Sequence, residues 1–90
     1  MKMNFRERVY ATMQREAYEM LSQKERASFI QSQHPWLVRS PCVNKQMKQR
    51  YGAFYWSYKL DNGWRCFASR SKDECIRKYR EFMEKAQNEG

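Results

Sequence analysis

Ninety residues with a formal charge of +8 leave room for one domain, 1–90. Five Phe, six Tyr and three Trp exclude a chain that is disordered throughout. No run approaches the roughly 18 apolar residues of a membrane span. The start MKMNFRERVY is too charged for a secretory signal, so a cytoplasmic protein without membrane contact is expected.

The first element reads as a helix. Asn4 and Glu7 fit a capping box, and Phe5, Val9, Met13, Ala17, Met20 and Leu21 recur at helical spacing, joined by Tyr10. Arg6, Arg8, Arg15, Glu16 and Glu19 fall largely outside that stripe. Such an amphipathic helix must dock, either on its own sheet or on a second copy in a homodimer. Ser22 and Glu25 repeat the capping pattern, so a second helix starts near Gln23 with Ala27, Phe29 and Ile30 as its apolar positions, the alternative being one continuous helix kinked near Ser22. It must stop near Gln33 or His34, because Pro35 disfavours a helical residue before it. His34, the single histidine, reads as a capping or surface group.

From residue 35 onward the pattern changes to a sheet followed by a helix. Trp36-Leu37-Val38 allows a short edge strand near 36–39, and residues 44–50 read as an exposed loop or a short helical turn. The segment AFYWSYKL-DNG-WRCFAS is a β-hairpin, 53–60 and 64–69. A two-residue turn at Asn62-Gly63 would mix apolar and charged side chains on both faces. A three-residue loop, with Gly63 in the left-handed region, separates them. Phe54, Trp56, Tyr58, Leu60, Trp64, Cys66 and Ala68 then face inward, and Tyr55, Ser57, Lys59, Arg65, Phe67 and Ser69 outward, with Trp56 opposite Ala68. Ser71 and Glu74 open a last helix that buries Cys75, Ile76, Tyr79, Phe82, Met83 and Ala86 on the inward face. The expected class is α+β: two N-terminal helices, a small antiparallel sheet and a C-terminal helix packed on it.

The charge is segregated. Residues 26–72 carry nine basic side chains and one acid, Asp61, whereas the segments on either side are near neutral. A region that repels itself suits a polyanionic partner, which relieves the repulsion and releases counterions. On the outward face Tyr55 and Phe67 could stack on bases while Lys59 and Arg65 hold phosphates. Lys45, Lys48 and Arg50 approach from before the hairpin, and Arg70 and Lys72 from after it. This pattern points to non-catalytic nucleic-acid binding, with single-stranded RNA ahead of DNA. The alternative is a small phage-type inhibitor that docks its basic surface on an acidic protein or blocks a nucleic-acid site. The unit 51–86 loosely resembles integrase-type DNA-binding domains, and SRSKDE before a helix is similar to the last turn of a double-stranded-RNA-binding domain. The Arg-and-Trp pattern of the first and the Gly-rich strand turn of the second are absent, and neither family is assigned.

Phosphate-loop, nucleotide-binding and paired metal-carboxylate patterns are missing, so neither an enzyme nor a cofactor is expected. Cys42, Cys66 and Cys75 are odd in number, contain no CxxC and read as reduced, buried thiols rather than metal ligands.

Overall fold

The capping box at Ser22 forms as its residue types require. In the computed structural model, which describes residues 14–88, Ser22 Oγ accepts from the Glu25 N–H at 3.2 Å and the Glu25 carboxylate accepts from the Ser22 N–H at 3.0 Å. The backbone bond and then the Ser22 hydroxyl hold the Glu25 carboxyl below its ordinary range. Residues 14–19 are helical, the chain turns at 20–22, and α1 follows at Gln23–Ser32. The two segments are tied by Arg26, whose guanidinium donates to the carbonyls of Tyr18 (3.3 Å) and Glu19 (2.6 Å). Both carbonyls lie in the last helical turn, where the i+4 ladder ends; that of Tyr18 also accepts from the Leu21 N–H at 3.0 Å. The stripe expected through Ala17, Met20 and Leu21 is not the docking surface: Ala17 is exposed and Met20 is 88% exposed. Leu21 alone of the three is half-buried, and Tyr18 docks, its ring 5.6 Å from both Phe29 and Trp64. The box at Asn4 and the positions Phe5, Val9, Tyr10 and Met13 lie outside the described residues.

Three antiparallel strands follow in the order β1-β2-β3: Trp36–Pro41, Phe54–Lys59 and Arg65–Ser69. β1 outruns the expected 36–39 because Ser40 and Pro41 continue the pairing opposite Tyr55 and Phe54. Pro41 is tolerated at the end of an edge strand, where its missing N–H breaks no ladder. Between β1 and β2 lies a second helix, α2 (Lys45–Tyr51), where a loop or a single turn was the expectation. Asn44 caps it by accepting from the Met47 N–H at 2.8 Å. Gly52 ends it at φ 88°, a conformation that favours glycine.

The hairpin turn forms as a three-residue loop. Leu60 N–H donates to the Trp64 carbonyl at 2.8 Å, Gly63 N–H donates back to Leu60 at 2.9 Å, and Tyr58 faces Cys66. Beyond Cys66 the expected register fails. β3 carries one extra residue, so Trp56 faces Ser69 rather than Ala68, and Phe67 takes φ 59°. This is a β-bulge, which lets successive residues point to the same side. Phe67, expected outward, turns onto Tyr58, Tyr79 and Phe82. Ala68, expected inward, moves to the opposite face, and Ser69, expected outward, is buried at 3% exposure. A left-handed aromatic residue costs about 1–2 kcal/mol. Packing Phe67 among three rings offsets that.

The last helix, α3 (Lys72–Asn88), buries Cys75, Met83 and Ala86 and turns Arg77, Lys78, Arg80, Glu81, Glu84 and Lys85 to solvent. Only half of its capping box forms. Ser71 Oγ accepts from the Glu74 N–H at 3.4 Å, but the Ser71 N–H donates to Ser69 Oγ and Glu74 sits 3.6 Å from Lys78 Nζ. α3 packs on β3 and the adjoining part of β2, and α1 packs on α3. Ala27, Ile30, Leu60, Met83 and Ala86 form the buried core, with Tyr18, Phe29, Trp64, Phe67 and Phe82 around it. The described N-terminal helices therefore close the turn end of the hairpin and leave the sheet face opposite α3 to other elements.

Candidate nucleic-acid interface

The face of the sheet away from α3 is defined by the register. β1 places Trp36, Val38 and Ser40 there, and β2 places Tyr55, Ser57 and Lys59. β3 adds Arg65, opposite Lys59, and, through the bulge, Ala68. Arg65 spans the sheet: from β3 its guanidinium crosses the central strand and donates to Ser40 Oγ on β1. On the way it passes 6.0 Å from the Tyr55 ring centre. Ser57, between Tyr55 and Lys59, is wholly buried, and its hydroxyl has no hydrogen-bond partner.

Tyr55 points outward as expected but is only 7% exposed. The cover is α2, whose Tyr51 stacks on it with ring centres 5.6 Å apart and planes 28° apart. Between α2 and the sheet lies a cleft of about 550 Å³. The sheet contributes Tyr55, Arg65 and Ala68, and α2 contributes Gln46, Met47, Arg50 and Tyr51. Arg70 adjoins it, donating to the Arg50 carbonyl at 3.1 Å and so tying the end of β3 to the end of α2.

The sequence-derived site residues thus divide. Arg50, Tyr55 and Arg65 line the cleft, Arg70 stands at its rim, and Lys45 and Lys48 are exposed on α2. Lys59 shares the face but sits at its other end, its Nζ 5.8 Å from the Trp36 ring centre. Phe67 and Lys72 do not belong to this face. Phe67 packs under α3, and Lys72 lies 5.6 Å over Trp56 on the α3 side. Gln46, Met47 and Tyr51 were missed. Asn44 as a cap and Gly52 as a stop were the signals for the helix that carries them.

The electrostatics of the cleft are one-signed. β1, α2, β2 and β3 contain no carboxylate, and Asp61 is held near His34, 3.5 Å from its Nδ1. Guanidinium groups with free donors bind phosphate oxygens in bidentate fashion. Among the described residues no three metal-ligating side chains cluster. The three cysteines are free thiols, and burial pushes Cys66 and Cys75 up, away from the reactive thiolate. No helix among the described residues is long and apolar enough to cross a membrane.

Comparison with known proteins adds nothing to this geometry: the sequence matches no family model, no curated protein and no solved structure.

Proposed function

We propose that this chain is a non-catalytic, cytoplasmic nucleic-acid-binding protein that holds the phosphates of a single strand in the cleft between α2 and the sheet, RNA ahead of DNA. One observation supports this reading above the others. Arg50 and Arg65 face a common space with two tyrosines and no carboxylate. The volume, about 550 Å³, lies in the range of small-ligand sites. It suits one nucleotide of an unpaired strand and not a base-paired duplex. Lys45, Lys48 and Arg70 extend the positive field along the strand on either side. Gln46 offers a neutral donor and acceptor for a ribose 2′-hydroxyl, the group that separates RNA from DNA. Arg65 would exchange Ser40 for a phosphate on binding.

Fluorescence anisotropy tests it with labelled 12-nucleotide single-stranded RNA, the matching DNA and a 12-base-pair duplex, between 50 and 200 mM salt. The expected order is RNA, then single-stranded DNA, then duplex. Arg50→Ala/Arg65→Ala should weaken RNA binding by about tenfold or more and lower the salt slope by roughly 1–2, one phosphate contact per arginine. No binding at 50 mM salt, or a double variant that binds as tightly as wild type, contradicts the reading. An acidic protein partner would instead compete with RNA for the same arginines, and its complex would survive nuclease.

A further inference from the structure

The sheet face beneath α3 is covered only in part. α3 lies over β3 and the adjoining part of β2, and among the described residues no helix covers the β1 side of this face, where Leu37 is half-buried. There the register sets Arg39 opposite Trp56 and Pro41 opposite Phe54. Phe54 is 45% exposed, Arg39 is exposed and Trp56 is half-buried. Each ring carries a cation. The Arg39 guanidinium carbon is 4.2 Å from the Phe54 ring centre, and Lys72 Nζ is 5.6 Å from that of Trp56.

We infer that Phe54 and Trp56, with Arg39 and Lys72, form a second nucleic-acid site that stacks successive unpaired bases of a single strand. The inference rests on the proposed function, since it gives the same ligand a second foothold. Two rings two residues apart on one strand face stand about 7 Å apart, which is open enough for neighbouring bases of an extended strand to use both. Rings alternating with cations mirror bases alternating with phosphates. Arg39, its guanidinium carbon 4.2 Å from the Phe54 ring centre, adds a second group on which a base can stack. The charge is complementary as well. None of the three strands carries a carboxylate, and Glu74 on the neighbouring helix turn is drawn towards Lys78 at 3.6 Å. Asp73, next to Lys72, is the one acid adjoining the site in sequence. An apolar protein helix is a poor occupant, because it would bury Arg39 and Lys72 without counter-charges. The stacking role assigned from sequence to Tyr55 and Phe67 thus passes to residues on the opposite face. Tyr55 is covered by Tyr51, and Phe67 is held among Tyr58, Tyr79 and Phe82.

Titration of intrinsic tryptophan fluorescence tests this with 12-nucleotide oligo(U) and oligo(dT) and a 12-base-pair duplex. Phe54→Leu keeps an apolar side chain at an exposed position but removes the ring, and Trp56→Leu does the same beside it. Each variant should bind both single strands about five- to tenfold more weakly, the low end of one lost base–aromatic stack. Duplex affinity should stay within about twofold, because paired bases offer no free face to stack. Trp56→Leu should also lose most of the quenching. Near-UV circular dichroism checks that both variants stay folded. Single-strand affinities equal to wild type in both variants overturn the inference alone, provided that Arg50→Ala/Arg65→Ala still weakens binding. A wild type that binds none of the three ligands overturns the proposed function together with it.

Discussion

The two ends of the sheet carry similar aromatic residues that differ in how far the core covers them. At the turn end, Trp64 meets Tyr18 and Phe29 with centres 5.6 and 5.7 Å apart, and Leu60 beside it has no exposed surface. At the other end, Phe54 and Trp56 meet Arg39 and Lys72. Cations lie at the turn end too, Arg15 5.5 Å from the Trp64 ring centre and Arg26 5.2 Å from that of Tyr18, but the rings also pack on one another and on the buried core, which stabilises the fold. The second set lacks that core packing among the described residues: Phe54 stays 45% exposed beside Arg39, and Trp56 is half-buried beside Lys72. The difference comes from where α3 and α1 lie, since residue type alone does not distinguish the ends.

The largest effect should separate the ends by stability. Leu60→Ala empties a fully buried site and should cost about 2–5 kcal/mol in urea unfolding, whereas Phe54→Ala should cost under about 1 kcal/mol. Equal losses would mean that the exposed end is structural after all. The bulge comes next. Phe67→Ala should cost about 2 kcal/mol through lost packing. Phe67→Gly should be more stable than Phe67→Ala by about 1 kcal/mol, because glycine accepts φ 59° without the left-handed penalty. The reverse order would show that Phe67 does not hold that conformation. Arg65→Ala should cost about 0.5–1 kcal/mol by releasing Ser40 and removing the guanidinium beside Tyr55, a change smaller than its effect on nucleic-acid binding.

The smallest effect concerns pH. The Glu25 carboxyl is lowered in the folded state, so its contribution is present above the unfolded value and is lost as pH falls through the folded one. The cap joining residues 14–19 to α1 should therefore loosen in acid before the sheet does. Amide shifts of Ser22 and Glu25 followed by NMR check this, and in Glu25→Gln that early transition should vanish.

Much of the architecture could be read from the residues. The Ser22–Glu25 box, Pro35 and Asp61-Asn62-Gly63 fix local geometry through their own backbone and side-chain chemistry, and the turn's register follows from Leu60 and Tyr58. The bulge was not legible, because nothing local marks Phe67 for a left-handed conformation. Its reason is tertiary, the ring cage of Tyr58, Tyr79 and Phe82. The site suffered from the same limit. Charge segregation located the basic surface within residues 26–72, and Arg50, Tyr55 and Arg65 do share a cleft. Strict alternation, though, placed Phe67 on the wrong face and hid Phe54 and Trp56 in the core. How far α3 reaches across the sheet depends on helix packing, which no strand pattern encodes.

The most direct measurement is an NMR titration of the ¹⁵N-labelled protein with a 12-nucleotide single-stranded RNA. Binding in the cleft predicts the largest amide and Arg Nε shifts at Arg50, Tyr51, Arg65 and Ala68, with the outer face of α3 at Arg77, Glu81 and Glu84 unmoved. Shifts confined to that helix face, or no shifts at 50 mM salt, would contradict nucleic-acid binding at this site.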